Sequence, residues 1–468
     1  MKKSMPYIIL NSLLLTGFIV AALVFFAPEK KPPAVMGAGG ERTTVLNVSV
    51  LDYGTYFTRA ANRFMDIHPE VEIILHNPCN QPRDNMGFIA SYRQQIRDQM
   101  ASGEFDDLLE IFDNGYIGGD LARIFPFYQA ADFYPLMQKD ADFAEADYYM
   151  NVVNSLAYQN KLLAFPLYFS YRGIAVNSTF SPQLAEQFKQ YEQITYREVF
   201  DLYNSLEDKG NRYISGILSP LNSLEANITT FVNFKKKECY FNTPEFIEFI
   251  GAAKEGVDPL SKYNFGLEVR LGNSFYWNDN GSFDEIMQKE YALRHLFYVD
   301  SINPYQFLLP EGEGKKFTHY IPLVTEDGEA ILFPMRAFMI NKDSKNKELA
   351  WEFIKFLAST QSVAYYRDDY HVYPVNKQIF KNQVNAYVFK ITESMKSLKQ
   401  GEPALTAEEV VAKLTAYSEM PMQSTLYLEA GLEVLLQKIL TPFYKGAISA
   451  EQAAVQLQQE VTQYLKKN

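Results

Sequence analysis

Apolar and polar residues recur along this chain with two periods, and the switches between them mark its elements. "TVLNVSVLD" (44–52) reads as a strand, and "VEIIL" (71–75) as a second, with Val71, Ile73 and Leu75 alternating. Between them Phe57, Ala60, Ala61, Phe64 and Met65 share one face of a helix that follows the turn "YGTY". Ile89, Tyr92, Ile96 and Met100 form the stripe of another helix over 88–103, closed by Gly103, before a third strand, "DDLLEIF" (106–112). This β-α-β-α-β order predicts a mainly parallel sheet with helices on both faces, where ligands sit beyond the carboxyl ends of strands. Those ends carry Asp52-Tyr53-Gly54-Thr55 and Asp113-Asn114-Gly115-Tyr116.

Further on, the pattern is broken by proline. A helical stretch over 147–166 leads into "NKLLAFPLYFSYRGIAVN" (160–177), a β-rich run with Pro166 near its middle. Proline cannot donate to a central ladder, so the strand should be interrupted, bent or at an edge, as where a chain crosses between domains. A second interrupted run, "YIPLVTEDGEAILFPMRAFMIN" (320–341), precedes the helix "SKNKELAWEFIKFLAST" (344–360). That helix buries Leu349, Ala350, Phe353, Ile354 and Leu357 on one face, with Ser344 or Asn346 as its cap. "YHVYPVN" (370–376) is short, extended and again holds a proline, and 380–466 reads helical, with Ser449 and Gln452 in a capping-box pattern.

The start of the chain changes the picture. Tyr7–Phe26 is an uncharged apolar run behind Lys2 and Lys3, spanning roughly 30 Å as a helix, enough for a bilayer's hydrocarbon core. It reads as an uncleaved N-terminal membrane anchor within 1–27, with a cleaved signal peptide as the alternative, and either way the body is exported. No Cys follows the run to carry a lipid, and the Pro- and Gly-rich 28–43 reads as a linker. The two cysteines, Cys79 and Cys239, lie far apart and form no CxxC; two separate thiols are the favoured reading.

At 468 residues the chain exceeds one core. A formal charge of −12 argues against nucleic acid, because no basic cluster is present to displace phosphate counterions. The chain is rich in Tyr (32) and Phe (35), and Tyr suits surfaces that must be both apolar and hydrogen-bonding. Catalytic signatures are missing: there is no G-x-S-x-G, H-E-x-x-H, P-loop or G-x-G-x-x-G, and the five histidines show no metal-ligand spacing. Ser344-x-x-Lys347 lacks the partner motifs of an S-x-x-K enzyme, and the DNG fragments at 113–115 and within 278–281 read as turns. The expectation is a protein that is not an enzyme and carries no cofactor or metal.

"YQNKLLAFPLYFSYRGIAVN", "MINKDSKNKELAWEFIKFLASTQS", "HVYPVNKQIF" and "FYKGAISAEQAAVQLQQEVTQYL" occur in an order that resembles the extracellular solute-binding proteins of ABC importers, in particular the sugar-binding family that includes maltose-binding protein. The resemblance covers roughly 44–468. It implies an α/β, two-lobed periplasmic-binding-protein-like fold of type II, each lobe a mostly parallel sheet flanked by helices, with three interlobe crossings. One lobe would hold 44–165 and 331–372, the other 166–330 and 373–468. Residues 283–300 depart from the family's pattern and lack its glycine.

By the same resemblance, ligand would sit between the lobes and hinge closure would present it to a permease. Cleft residues would be Asp52 and Tyr53 after the first strand; Asp113, with Asn114 and Tyr116, after the third; and Tyr168, Ser170 and Tyr171 beyond the first crossing. Tyr276 and Trp277 are platforms by composition, and Tyr427 matches a late helix that contributes an aromatic. The implied partners are a mono- or oligosaccharide and ABC permease subunits, for a monomer tethered to the outer face of the cell membrane. A ligand-sensing or scaffolding role, or an exported polysaccharide-acting enzyme, are the alternatives.

Overall fold

The structure is a computed structural model and describes residues 44–51, 55–77, 85–111, 127–178, 181–207, 224, 226–234, 236–255, 297–308, 317–359, 372–398, 403–424 and 430–467. Two units are distinguished by internal contacts, one ending at Val45 and including 65–72, the other comprising 46–64 and 73–468. In the first, Thr44 N–H donates to the Glu70 carbonyl (3.2 Å) and Val71 N–H to that of His68 (3.0 Å).

The strands in chain order are β1 (Thr44–Ser49), β2 (Val71–His76), β3 (Leu108–Ile111), β4 (Ala157–Tyr158), β5 (Lys161–Leu162), β6 (Phe165–Asn177) and β7 (Ile194–Thr195). They continue as β8 (Val232–Asn233), β9 (Glu238–Cys239), β10 (Phe297–Ser301), β11 (Phe317–Val324), β12 (Ala330–Ile340), β13 (Tyr373–Pro374) and β14 (Met422–Ser424). The main sheet runs β10-β6-β11-β12-β3-β1-β2, with β6 also paired to β12. β1–β3 is parallel, as the β-α-β-α-β pattern leads one to expect, and β7–β11 and β12–β14 are parallel too. The long strands β6 and β12 add antiparallel pairs to each other and to β10, β11, β13 and β3. The architecture is therefore mixed α/β.

β6 and β12 each pass from one hydrophobic core to another. At its start β6 places Phe165 against Trp351 (5.2 Å between centroids) and Phe133 (6.0 Å), within a cluster that also takes Phe143 and Tyr148. At its far end Ile174 and Val176 belong to a different cluster, with Phe188, Phe200, Phe249, Leu436 and Leu457. β12 runs the other way: Ile331 lies in that second cluster, while Phe338 meets Phe57 edge-on at 5.5 Å. Close packing is enforced at Gly173, where a Cβ would collide with the Ile302 side chain and lie 3.3 Å from the Ile321 carbonyl.

Several local outcomes refine the sequence expectations. The helix after the second run covers Lys347–Leu357 and buries Trp351 and Phe356 besides the expected stripe, leaving Leu349 half-buried. Its N-cap is Asn346, whose side chain makes no cap bond; Ser344 Oγ instead accepts from Asn346 N–H (2.9 Å) and donates to Asp107 (2.5 Å). The expected helix over 147–166 is confined to Met150–Asn154, because Gln159 and Asn160 take positive φ (51° and 64°) and close the β4–β5 hairpin in two residues. β14 interrupts the helical 380–466, and the capping box at Ser449 and Gln452 forms as expected (3.2 and 2.9 Å).

Cys239 is a buried free thiol, 3.3 Å from the Thr462 hydroxyl, whereas Cys79 lies outside the described residues. The apolar run 7–26 also lies outside them, and among the described residues no helix is long and apolar enough to cross a membrane.

Candidate functional site

The three proline-containing segments converge on one residue. Tyr168 of β6 is the register partner of Arg336 on β12 and of Pro374 on β13. Pro166, Pro334 and Pro374 each remove a ladder donor there, and the β6–β12 register slips between Pro334 and Arg336 and again before Ala337. A ladder with missing rungs and bulges resists bending less than a regular one. All three strands are weakened at the same height.

That junction adjoins the carboxyl ends of β1 and β3. The Tyr168 hydroxyl lies 3.2 Å from that of Tyr56, which opens the helix Tyr56–Ile67 just after the β1 turn. Arg336 is buried (2% exposed) and donates to Glu110 of β3 at 2.7 Å and to the Leu51 carbonyl at 3.3 Å. Glu110, fully buried, accepts the Leu51 N–H with its other oxygen (2.7 Å). The guanidinium also sits over the rings of Phe57 (5.0 Å) and Tyr56 (5.7 Å). A buried charge of either sign alone would be expensive, and each is neutralised and hydrogen-bonded here. The pair thereby fixes Leu51, the residue from which the chain enters Asp52 and Tyr53. Tyr92 backs the arrangement by donating to the Glu110 carbonyl (2.7 Å); burial, reinforced by the Glu110 and Asp106 carboxylates, pushes its hydroxyl pKa well up, so it stays a donor.

Strand alternation sorts the three site residues expected on β6. Tyr168, Ser170 and Arg172 share one face. Phe169 and Tyr171 take the other, where Tyr171 stacks on Tyr373 (5.6 Å, 19°) and meets Tyr417 edge-on (6.4 Å). Tyr171 is fully buried and its hydroxyl pKa is raised by that burial, against the Ser418 hydroxyl, which lowers it. Ser170 is 1% exposed, and among the described residues nothing hydrogen-bonds its hydroxyl. Arg172 is half-buried, with its guanidinium 4.5 Å above the ring of Phe333, the register partner of Ser170. Asp52, Tyr53, Asp113, Asn114, Tyr116, Tyr276, Trp277 and Tyr427 lie outside the described residues.

Glu110, Arg336, Tyr56, Arg172 and Phe333 escaped the sequence reading. A lone charge inside an otherwise apolar strand, as in "LLEI" or "AILFPMRAFMI", was the available signal for the first two.

A second polar group, with His76, Gln95, Gln99 and Asp106, lines an open depression of about 750 Å³. There Asp106 accepts from the Ser49 hydroxyl, from His76 Nδ1 (2.8 Å) and from Gln99 (2.9 Å), while Gln95 donates to Ser49 (2.9 Å). The carboxylate stands between hydroxyl and imidazole, so His76 makes no direct bond to Ser49 by which to remove its proton. Among the described residues no three His, Cys, Asp or Glu side chains converge as a metal site.

A family model described as bacterial extracellular solute-binding protein matches residues 88–388, well over half of the chain. The chain belongs to that family. Membership makes it extracytoplasmic, and the family's members are binding proteins rather than enzymes. No curated protein matches it by sequence. Solved structures with the same two-lobed fold include the sugar-binding protein MalE of Xanthomonas citri (14% identity, TM-score 0.57), covering 90% of this chain and 98% of that one. A periplasmic oligogalacturonide-binding protein of Yersinia enterocolitica (14%, TM-score 0.58) covers 90% and 99%. A cyclic alpha-maltosyl-1,6-maltose binding protein of Arthrobacter globiformis (13%, TM-score 0.51) covers 91% and 99%. At these identities the likeness concerns the fold.

Proposed function

We propose that this protein is the ligand-capturing component of an ABC importer, taking a carbohydrate into a cleft between two lobes that close on it, and handing it to a permease. The observation that carries this reading is the meeting of three proline-broken strands at Tyr168, beside the carboxyl ends of β1 and β3. Strands that change cores at a weakened point supply a hinge, and the adjoining strand ends supply the ligand position. Ligand touching both lobes only when they shut would shift the open–closed balance by its differential affinity. Lobes of 44–165 with 331–372 and of 166–330 with 373–468 fit this scheme, as does tethering through the apolar N-terminal run.

In this reading Tyr53, Tyr116, Tyr276, Trp277 and Tyr427 offer rings to sugar C–H faces, while Asp52, Asp113, Asn114 and Ser170 accept or donate to hydroxyls. Tyr168 contributes its edge, and Tyr171 acts from behind by holding the strand. The test is a saccharide screen by thermal shift on the full-length chain, followed by titration calorimetry. Tyr53→Ala and Asp113→Ala should each weaken the identified sugar at least about tenfold, roughly the loss of one good hydrogen bond or stacking contact. Unchanged affinity in both variants would remove the site placement, and a saccharide turned over rather than bound would remove the function.

A further inference from the structure

The two arginines of the paired strands β6 and β12 are differently committed. Arg336 is spent on Glu110 and the Leu51 carbonyl. Arg172 has no carboxylate partner among the described residues, only the ring of Phe333 beneath it at 4.5 Å. Stacking uses the face of a guanidinium and leaves its N–H edge directed outward, in the fork that matches a carboxylate or sulfate with two parallel bonds. The ring also holds the plane in one orientation, which lowers the ordering cost of such a contact.

A second observation lies two residues away on the same face of β6. Ser170 is 99% buried by its 1% exposure, yet among the described residues its hydroxyl has no hydrogen-bond partner. A buried hydroxyl left without a partner is costly, and a ligand that pairs with it recovers that cost. Phe333 lies directly across from Ser170, so ring, hydroxyl and guanidinium border one spot. Tyr168 stands at the near end of the same face, where its hydroxyl meets that of Tyr56. Aromatic surface, hydroxyl and a fixed cation together match an acidic sugar. The protein's net charge of −12 gives no long-range attraction for such a ligand, so its selection would fall to a local cation.

We propose that Arg172, stacked on Phe333 beside the Ser170 hydroxyl, selects an acidic saccharide, one bearing carboxylate or sulfate, as the ligand of this protein. This rests on the carbohydrate-binding reading above and names the class of sugar.

The experiment titrates the full-length chain with uronate di- and trisaccharides and their methyl esters, and with sulfated disaccharides and their desulfated counterparts. The ester keeps the ring and removes the charge, so each pair isolates the anion, and the two sets separate carboxylate from sulfate. At least one acid should bind about tenfold or more tightly than its neutral counterpart, with the gap narrowing as salt rises. Arg172→Gln should abolish the gap while leaving the neutral form within about threefold; Arg172→Lys, which keeps charge but loses the fork, should retain part of it. Ser170→Ala should weaken acid and neutral forms alike and leave the gap between them; Arg172→Lys serves if Arg172→Gln fails to fold. Equal binding of acid and neutral forms, or a preference that survives Arg172→Gln, overturns the inference and leaves carbohydrate binding standing. Failure of every saccharide, neutral ones included, overturns both.

Discussion

Two ion pairs show how differently one fold uses charge. Glu110–Arg336 is sealed inside the strand junction, with side chains 0% and 2% exposed. Asp140–Lys355 lies at the rim, 12% and 21% exposed, with Trp351 Nε1 donating to the same carboxylate at 2.7 Å. The inner pair holds the end of β1 through Leu51 and so positions the loop proposed to touch ligand. The outer one anchors the helix Lys347–Leu357 and keeps Trp351 turned into the aromatic cluster. Water and salt reach the second and not the first, so removing one partner should have unequal consequences.

The largest effect is expected for Glu110→Ala, which strands Arg336 in the interior and should cost about 3–5 kcal/mol in chemical denaturation. A loss under about 1 kcal/mol would mean the junction is wetter than the burial of both side chains implies. Replacing both partners, Glu110→Leu with Arg336→Met, should recover about half of this. About 1–3 kcal/mol should persist because the Leu51 N–H loses its acceptor. If the double variant is as unstable as the single one, the charges are not compensating each other.

Next comes Gly173→Ala, expected to cost about 1–3 kcal/mol through overpacking against Ile302 and thus to load β6 without touching either pair. Lys355→Met should cost about 1 kcal/mol, since the pair is partly open to water and Trp351 still donates to Asp140, read as a small shift in midpoint at unchanged slope.

The smallest effect is in pH dependence. Burial pushes the Asp140 carboxyl up, but hydrogen bonds from Lys355 and Trp351 outweigh it and hold it below the usual range. Its contribution is therefore present above the unfolded value of about 4 and lost as pH falls through the lower folded one. Glu326 has the opposite sign: burial raises it, opposed by the N–H and charge of Arg197, so its contribution is greatest at low pH and lost as pH rises through the folded value. Asp140→Asn should flatten the acid limb of the stability curve, and Glu326→Gln the limb above about pH 4. A curve unchanged in both variants would show that neither carboxyl couples to folding.

The same contrast explains what could be read before the structure. Periodicity located the strands of the first β-α-β-α-β segment and the stripe of the Lys347–Leu357 helix, because burial on one face imposes a period on the sequence. Proline positions located the irregular points of β6, β12 and β13, since a missing N–H is a local property. Cap geometry was less legible: Ser344 turned to Asp107, far away in sequence, in place of capping its own helix. Tyr171 shows the limit most clearly. Its neighbours Tyr168 and Ser170 share a face, but an odd step along a strand sent it to the opposite side, into a stack with Tyr373.

By itself, then, the sequence determined the first β-α-β-α-β segment, the proline breaks in the later strands and the family, all carried by patterns within short windows. Only the tertiary structure decided which charges are committed and which are available. Glu110 and Arg336 lie on strands remote in sequence that register brings to 2.7 Å, and Arg172 meets Phe333 for the same reason. Whether a charge is neutralised depends on what packs across the sheet from it, and no local pattern encodes that neighbour.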